Sequence, residues 1–183
     1  MQFKKYGLKE FNDSYYQPFR LFVKEGINKM KSDSVSTQNV LGYIEGSDPK
    51  LKNEYIVIGA HYDHWGWGGQ GSGSKKKEAF AIHNGADDNA SGVAAIIELA
   101  KHLNKSANKP KRSLIFIAFD AEESGLLGSK HYVDTIDKEL RNQIKVMFSF
   151  DMVGMLEANK GLDLKGIGGL VNGEEIAKRH ADG

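Results

Sequence analysis

The sequence contains no cysteine among its 183 residues. This absence excludes disulfide bonds and thiolate ligands for zinc, and it fits a compartment on either side of a membrane. No apolar run reaches the roughly 20 residues that a membrane-spanning helix needs, and the N-terminal stretch MQFKKYGLKEF is not an apolar signal segment. Charge of one sign is also lacking, with 25 Lys and Arg against 24 Asp and Glu. Nothing therefore indicates a nucleic acid or an anionic membrane as partner.

The length is typical of a single domain, and we expect residues 1–183 to form one. Runs of strand length alternate with helical patterns, which predicts a three-layer α/β/α sandwich. The predicted strands are Val35–Ile44, Glu54–Ala60, Ser113–Phe119, Val146–Phe150 and Leu162–Ile167. The predicted helices are Tyr15–Met30, Gly92–Leu103, Gly125–Val133, Asp137–Gln143 and Glu174–His180.

The stretch Ile82–Gly92, IHNGADDNASG, combines two adjacent acids with turn residues and leads into an apolar helix. One carboxylate is enough to cap a helix N-terminus. Two carboxylates, Asp87 and Asp88, also suit a ligand-binding loop, and the acids elsewhere in the chain decide between these interpretations.

Three of the predicted strands, Glu54–Ala60, Ser113–Phe119 and Val146–Phe150, are followed by acids or histidines. Ligands of open α/β sheets gather outside the carboxyl ends of the strands. Carboxylate and imidazole groups without thiolates suit zinc, manganese or cobalt. The sequence thus predicts a metal site formed by the Asp87 loop together with His61, Asp63, Glu122, Glu123 and Asp151.

Each of these side chains has an expected role. Because a carboxylate can bridge two cations, we assign Asp87 as the bridge, with His61 and Asp151 completing one ligand set and Glu123 serving the second cation. Asp63, if it is not itself a ligand, can hydrogen-bond the imidazole of His61 and fix its tautomer. Glu122 is then free to act as general base toward a shared water.

The motifs GAHYDH, NGADDNASG, AFDAEESGLLGS and FDM, in this order within about Val40–Gly154, resemble those of co-catalytic zinc aminopeptidases of the bacterial leucyl aminopeptidase and aminopeptidase Y type. The resemblance implies a mixed, mostly parallel sheet between helices. It also implies two Zn²⁺ ions per full-length chain, and peptides or proteins with free N-termini as substrates. It matches His61, Asp87, Asp151 and Glu123 to the zinc ligands, Glu122 to the general base and Asp63 to the residue behind the histidine. A cis peptide is expected between Asp87 and Asp88, and a periplasmic or secreted location is expected.

One departure from the family pattern concerns the second zinc, which takes a further histidine from well beyond the FDM motif. This chain has no histidine in the matching context, since His180 lies on a polar helical stretch. We therefore expect the catalytic domain to be incomplete at its C-terminus and to lack its last strands. The fragment is expected to bind at most one zinc tightly, to have weak or no activity, and to be able to self-associate through an uncovered sheet edge.

A carboxypeptidase, or an aminopeptidase with another side-chain preference, stays open. Two other functions stay open as well. One is a single-zinc enzyme similar to the glutaminyl cyclases, although the intact NGADDNASG and DAEESGLLGS motifs argue against it. The other is a non-catalytic ectodomain or interaction module on the same fold, which retention of the matching ligands disfavours.

Overall fold

A computed structural model describes residues 1–22, 34–67, 81–107 and 109–181 of the chain. The helices are α1 (Gln2–Lys5), α2 (Gly92–Lys105), α3 (Leu127–Thr135), α4 (Lys138–Gln143), α5 (Leu156–Asn159) and α6 (Gly173–Ala181). The strands are β1 (Tyr16–Phe22), β2 (Ser34–Ile44), β3 (Tyr55–His61), β4 (Ser113–Phe119) and β5 (Ile144–Ser149).

The five strands form one mixed sheet in the order β1-β2-β4-β3-β5. The pairs β1–β2 and β2–β4 are antiparallel, whereas β3 pairs in parallel with both β4 and β5. All seven residues of β4, SLIFIAF, are buried, which suits a central strand with helices on both faces. The carboxyl ends of β3, β4 and β5 therefore lie at the same edge of the sheet.

Two apolar clusters cover the two faces of the sheet. Alternate residues of β4 point to opposite faces, so Phe116 packs with Ile96 and Ala100 of α2, whereas Ile115 and Ile117 belong to the cluster that contains α3 and α4 residues. Helices on both faces of a mixed sheet confirm the predicted three-layer sandwich.

The prediction of a helix over Tyr15–Met30 was wrong where it can be tested, because residues 16–22 form β1 and residues 23–33 lie outside the described part. Phe19 is buried and Leu21 is half-buried, while Tyr16 and Arg20 are exposed, which is the two-residue alternation of a strand. Pro18 interrupts a helix but is tolerated on an edge strand. The proline argued against a helix, but the helical spacing of the aromatic residues was given more weight.

The predicted strand Leu162–Ile167 is also absent from the described structure, where residues 162–166 are irregular and a 3-10 turn covers Ile167–Gly169. Leu162 and Leu164 are exposed, so their alternation with charged residues does not reflect burial against a sheet.

The last strand of the described sheet, β5, lies at its edge and exposes Met147 and Phe148. Such an edge can pair with another chain, but self-association stays a prediction. None of the helices in the described residues has the length and apolar character needed to span a bilayer.

A buried hydroxyl gives a test of this packing. Tyr132 is 4% exposed, and its hydroxyl has no hydrogen-bond partner in the described structure, whereas the Tyr15 hydroxyl donates to the Leu8 carbonyl at 2.6 Å. Because an unpaired buried hydroxyl is destabilising, we expect Tyr132→Phe to leave the free energy of unfolding unchanged or to raise it by about 1 kcal/mol. Tyr15→Phe, the matched control, should lower it by about 0.5–1.5 kcal/mol. Urea denaturation of the two variants measures both changes, and a clear loss of stability in Tyr132→Phe would contradict the packing.

Candidate metal centre

The parallel strands bring three chain segments to one point. His61, the last residue of β3, pairs with Phe119 of β4, so Glu122 and Glu123 follow just beyond that pair. Gly59 pairs with Ser149 of β5. Asp151, two residues after Ser149, is therefore level with His61 at the edge of the sheet.

A fourth segment, Ala86–Ser91, precedes α2 and has non-helical backbone at Asp88 and Asn89. The buried Asn89 side chain joins this segment to the residues that follow β5. Its amide nitrogen donates to the Phe150 carbonyl at 2.9 Å, and its oxygen accepts from the Met152 amide at 3.2 Å. These bonds fix the neighbouring Asp88 opposite Asp151.

The carboxylate of Asp88 lies between two imidazoles. Its Oδ1 is 3.1 Å from His61 Nε2, and its Oδ2 is 3.9 Å from His64 Nδ1. His61 Nε2 is also 3.5 Å from Asp151 Oδ1, and His64 Nδ1 is 2.9 Å from Glu123 Oε1. The potential ligands thus form two sets that share Asp88: His61, Asp88 and Asp151, and His64, Asp88 and Glu123.

The expected bridging role of Asp87 does not agree with this geometry. Its Oδ1 accepts from the Gly154 amide at 2.8 Å, and its Oδ2 is buried without a hydrogen-bond partner in the described structure. The backbone carbonyl of Asp87 accepts from the Ser91 hydroxyl at 2.6 Å. Asp87 therefore anchors its loop to the segment after β5, and Asp88 takes the place between the imidazoles. The cis peptide is likewise one residue later than expected, between Asp88 and Asn89.

Asp63 holds the two adjacent glutamates through their backbone. Its Oδ1 accepts from the Glu122 amide at 3.0 Å, and its Oδ2 accepts from the Glu123 amide at 3.1 Å. The expected contact between its carboxylate and the His61 imidazole is looser, at 3.6 Å from Nδ1. The nearer partner of His61 Nδ1 is the Asp63 carbonyl, at 3.1 Å. If Nδ1 carries the proton for that bond, the Nε2 lone pair is left facing Asp88 and Asp151.

The environment shifts the pKa values of two of these groups. Burial raises the pKa of the Glu122 carboxyl; the His61 charge opposes the rise, and the charges of Glu123 and Asp151 add to it. Burial of His61 disfavours its protonated form, but the bond to the Asp63 carbonyl and the surrounding carboxylates outweigh it and raise the pKa of His61. A raised carboxyl pKa suits a group that must both accept and return a proton near neutral pH.

The donor atoms present fit a divalent cation. Within the described residues, the ion pairs of Asp88, Glu123 and Asp151 are with imidazoles alone, and no lysine or arginine is paired with them. Clustered carboxylates without such partners repel one another, and a bound cation would relieve that repulsion. Imidazole nitrogen combined with carboxylate oxygen is a donor set that zinc accepts.

Comparison with known proteins identifies the family to which this chain belongs. The model of peptidase family M28 matches residues 39–176, which include all four segments of the site. The chain belongs to peptidase family M28.

Similar members of the family are named as aminopeptidases. The aminopeptidase YwaD of Bacillus subtilis is 36% identical over 132 residues, which cover 72% of this chain and 25% of that protein. An aminopeptidase of Pseudomonas aeruginosa is 34% identical over 118 residues, covering 64% of this chain and 18% of that protein. The chain thus spans about a quarter or less of the length of these M28 relatives.

Solved structures of similar enzymes confirm the fold. A zinc aminopeptidase from Bacillus subtilis matches with a TM-score of 0.53 and 32% identity over 67% of this chain and 26% of that chain. An aminopeptidase from Aneurinibacillus matches with a TM-score of 0.54 and 34% identity over the same shares. A glutaminyl cyclase from Bacteroides thetaiotaomicron has a TM-score of 0.56 but only 21% identity, so it is similar in fold alone.

His64 is the residue of the cluster to which sequence reasoning gave no ligand role. It lies three residues after His61 in GAHYDH, beyond the end of β3. In an irregular segment, sequence spacing does not indicate where a side chain points. The contact between His64 and Glu123 therefore could not be predicted from the sequence and is seen only in the folded structure.

The two adjacent aspartates allow a matched test. Asp88→Asn should weaken cation binding by more than the roughly 100-fold that loss of a group supporting a ligand can cost, because it removes the carboxylate that the two ligand sets share. Asp87→Asn retains an oxygen for the Gly154 amide and should change affinity by less than about 10-fold. Competition with a zinc chelator measures both affinities, and the opposite ranking would restore Asp87 as the bridge.

Proposed function

We propose that this chain supplies the metal-binding and proton-transfer residues of a zinc-dependent M28 aminopeptidase. The single observation that carries the proposal is the Asp88 carboxylate, whose two oxygens face different histidines at the carboxyl edge of a parallel strand pair. A shared carboxylate of this kind is what a two-metal hydrolytic site requires. The names of similar proteins, an aminopeptidase and a zinc aminopeptidase of Bacillus subtilis, support zinc and aminopeptidase activity.

Under this proposal, His61, Asp88 and Asp151 would hold one cation, and Asp88 and Glu123 would hold part of the second. Cations bound there would supply Lewis-acid polarisation of the scissile carbonyl and would lower the pKa of a bound water. The Glu122 carboxylate accepts a proton from the attacking water. The resulting carboxylic acid returns a proton to the nitrogen of the leaving amine, which restores Glu122 for the next turnover.

Asp63 acts through the backbone in this scheme. By accepting from the amides of Glu122 and Glu123, it fixes the direction in which the two side chains leave the strand end. One glutamate can then bind metal while its neighbour stays free for proton transfer. In the described structure the Glu122 carboxylate makes no hydrogen bond, which leaves it available as the base.

Substrate type is the part of the proposal most open to test. One relative that is 32% identical over 63% of this chain is named as a glutamate carboxypeptidase 2 homolog, so a carboxypeptidase is the alternative to examine. The assay compares leucyl p-nitroanilide, its N-acetylated form, a peptide that ends in glutamate, and a glutaminyl peptide, each with zinc-loaded protein. We expect turnover only where the N-terminus is free. Cleavage of the C-terminal glutamate or cyclisation of the glutaminyl peptide would replace the aminopeptidase proposal.

The role of Glu122 can be separated from metal binding. Glu122→Gln should retain zinc but lose about 10²–10⁴-fold in kcat, since a positioned general base contributes that much. Glu123→Gln, its adjacent control, should weaken zinc binding as well as turnover. Zinc content and kcat are measured on both variants, and normal kcat in Glu122→Gln would remove that residue from the mechanism.

A further inference from the structure

Three consecutive backbone amides in the segment after β4 are held by two aspartates. The Ala121 amide donates to Asp120 Oδ1 at 2.8 Å. The Glu122 and Glu123 amides donate to the two carboxylate oxygens of Asp63, at 3.0 Å and 3.1 Å. Asp63 thus holds this segment from the end of β3, and Asp120 holds it from the end of β4.

The backbone of Ala121 is left-handed and needs such support. Its φ is 57°, a conformation that is unfavourable for alanine because the Cβ approaches the following carbonyl oxygen. Its side chain is 3% exposed, so the turn is buried as well as strained. A strained conformation persists only where its surroundings impose it. The turn at Ala121 also sets the direction in which Glu122 and Glu123 leave the end of β4.

Asp120 is itself fixed by neighbours on β2 and α3. The Thr37 hydroxyl donates to Asp120 Oδ2, and the Asp120 amide donates to Asn39 Oδ1 at 3.2 Å. The Asn39 amide nitrogen, which is fully buried, donates to the Gly128 carbonyl at 2.8 Å. The Gly128 amide in turn donates to the Asp120 carbonyl at 3.0 Å. The backbone and the carboxylate of Asp120 are therefore both anchored.

The Asp120 side chain serves as a hydrogen-bond acceptor more than as a charge. Burial raises the pKa of its carboxyl; the bond from the Ala121 amide opposes the rise, and the charge of Asp63 adds to it. The carboxyl group is thus partly desolvated beside another acid, which disfavours its ionised form. Its contacts need only an acceptor for the Ala121 amide and a partner for the Thr37 hydroxyl, and an asparagine side chain offers both.

We propose that Asp120 is a positioning residue for the general base Glu122 and the metal ligand Glu123. It acts through the turn at Ala121, whose amide it binds and whose left-handed conformation it maintains. This inference rests on the proposed function, because the directions of the two glutamates matter to a site in which one transfers a proton and the other binds metal.

Amide hydrogen exchange, followed by NMR on the metal-free chain, tests this role without activity. Asp120→Ala should speed exchange of the Glu122 and Glu123 amides by about 10-fold or more, although their own acceptor, Asp63, is unaltered. The Tyr62 amide, which donates to the last carbonyl of β4 at 2.8 Å, should keep its rate and so show that the variant is folded. Asp120→Asn should keep all three rates, because it retains the acceptor.

A second substitution separates support of the turn from general support of the fold. Glycine adopts a positive φ without the cost that alanine bears. Combining Asp120→Ala with Ala121→Gly should therefore slow exchange of the Glu122 amide relative to Asp120→Ala alone. If Asp120→Ala does not fold, Thr37→Val takes its place, since it removes only the hydroxyl that anchors Asp120, and Thr37→Ser is its matched control.

The zinc-loaded chain reports the effect on the site. Asp120→Ala should lower kcat on leucyl p-nitroanilide by about 10–100-fold, the usual effect of losing a group that supports a ligand, and should change KM by less than about 3-fold. Asp120→Asn should restore kcat. Asp48→Ala, the matched control, removes a carboxylate that accepts two backbone amides at 2.8 Å and 2.9 Å in the turn between β2 and β3, and should leave kcat unchanged.

The outcomes separate this inference from the function on which it rests. Unchanged exchange in Asp120→Ala, equal loss of protection in Asp120→Asn, or no slowing on adding Ala121→Gly would overturn the positioning role. A loss of kcat no larger than that of Asp48→Ala would overturn it too. Absence of zinc binding and turnover in the unaltered chain would overturn the proposed function, while the exchange rates would still decide whether Asp120 fixes the two glutamate amides.

Discussion

The buried amide of Asn89 is the interaction on which the geometry of the site depends. Its oxygen accepts from the amides of Gly92 and Met152, and its nitrogen donates to the Phe150 carbonyl. One side chain, only 2% exposed, thus joins the start of α2 to the end of β5. Since Asp88 precedes Asn89 and Asp151 lies between the two bonded backbone groups, this amide sets how the two carboxylates face each other. An aspartate could not replace it, because an ionised carboxylate has no proton to donate.

The carboxylates of the site repel one another in this arrangement. Asp88, Glu122, Glu123 and Asp151 lie close together, and their pairing with positive groups in the described residues is confined to histidines. Asp63 differs, because two backbone amides stabilise its charge. A cation that binds only the folded state would both neutralise the cluster and stabilise the fold. Metal binding and stability of the strand ends should therefore be coupled.

Much of the fold could be predicted because burial and periodicity agree in β2, β3, β4 and α2. Prediction failed where two signals conflicted, as at Pro18, where aromatic spacing outweighed a residue that disfavours a helix. Within the site, the strand ends identified His61 and its partners, because a parallel sheet aligns them regardless of loop detail. The choice between Asp87 and Asp88 could not be made in this way. It depends on the non-helical backbone of their loop, which turns neighbouring side chains in different directions.

Anomalous X-ray diffraction at the zinc edge, on crystals of the zinc-loaded chain, measures the central claim most directly. The account predicts two peaks about 3.5–4 Å apart, as in other two-metal sites, on either side of the Asp88 carboxylate. One peak should lie beside His61 and the other beside Glu123. A single peak, or two peaks with Asp87 between them, would contradict it.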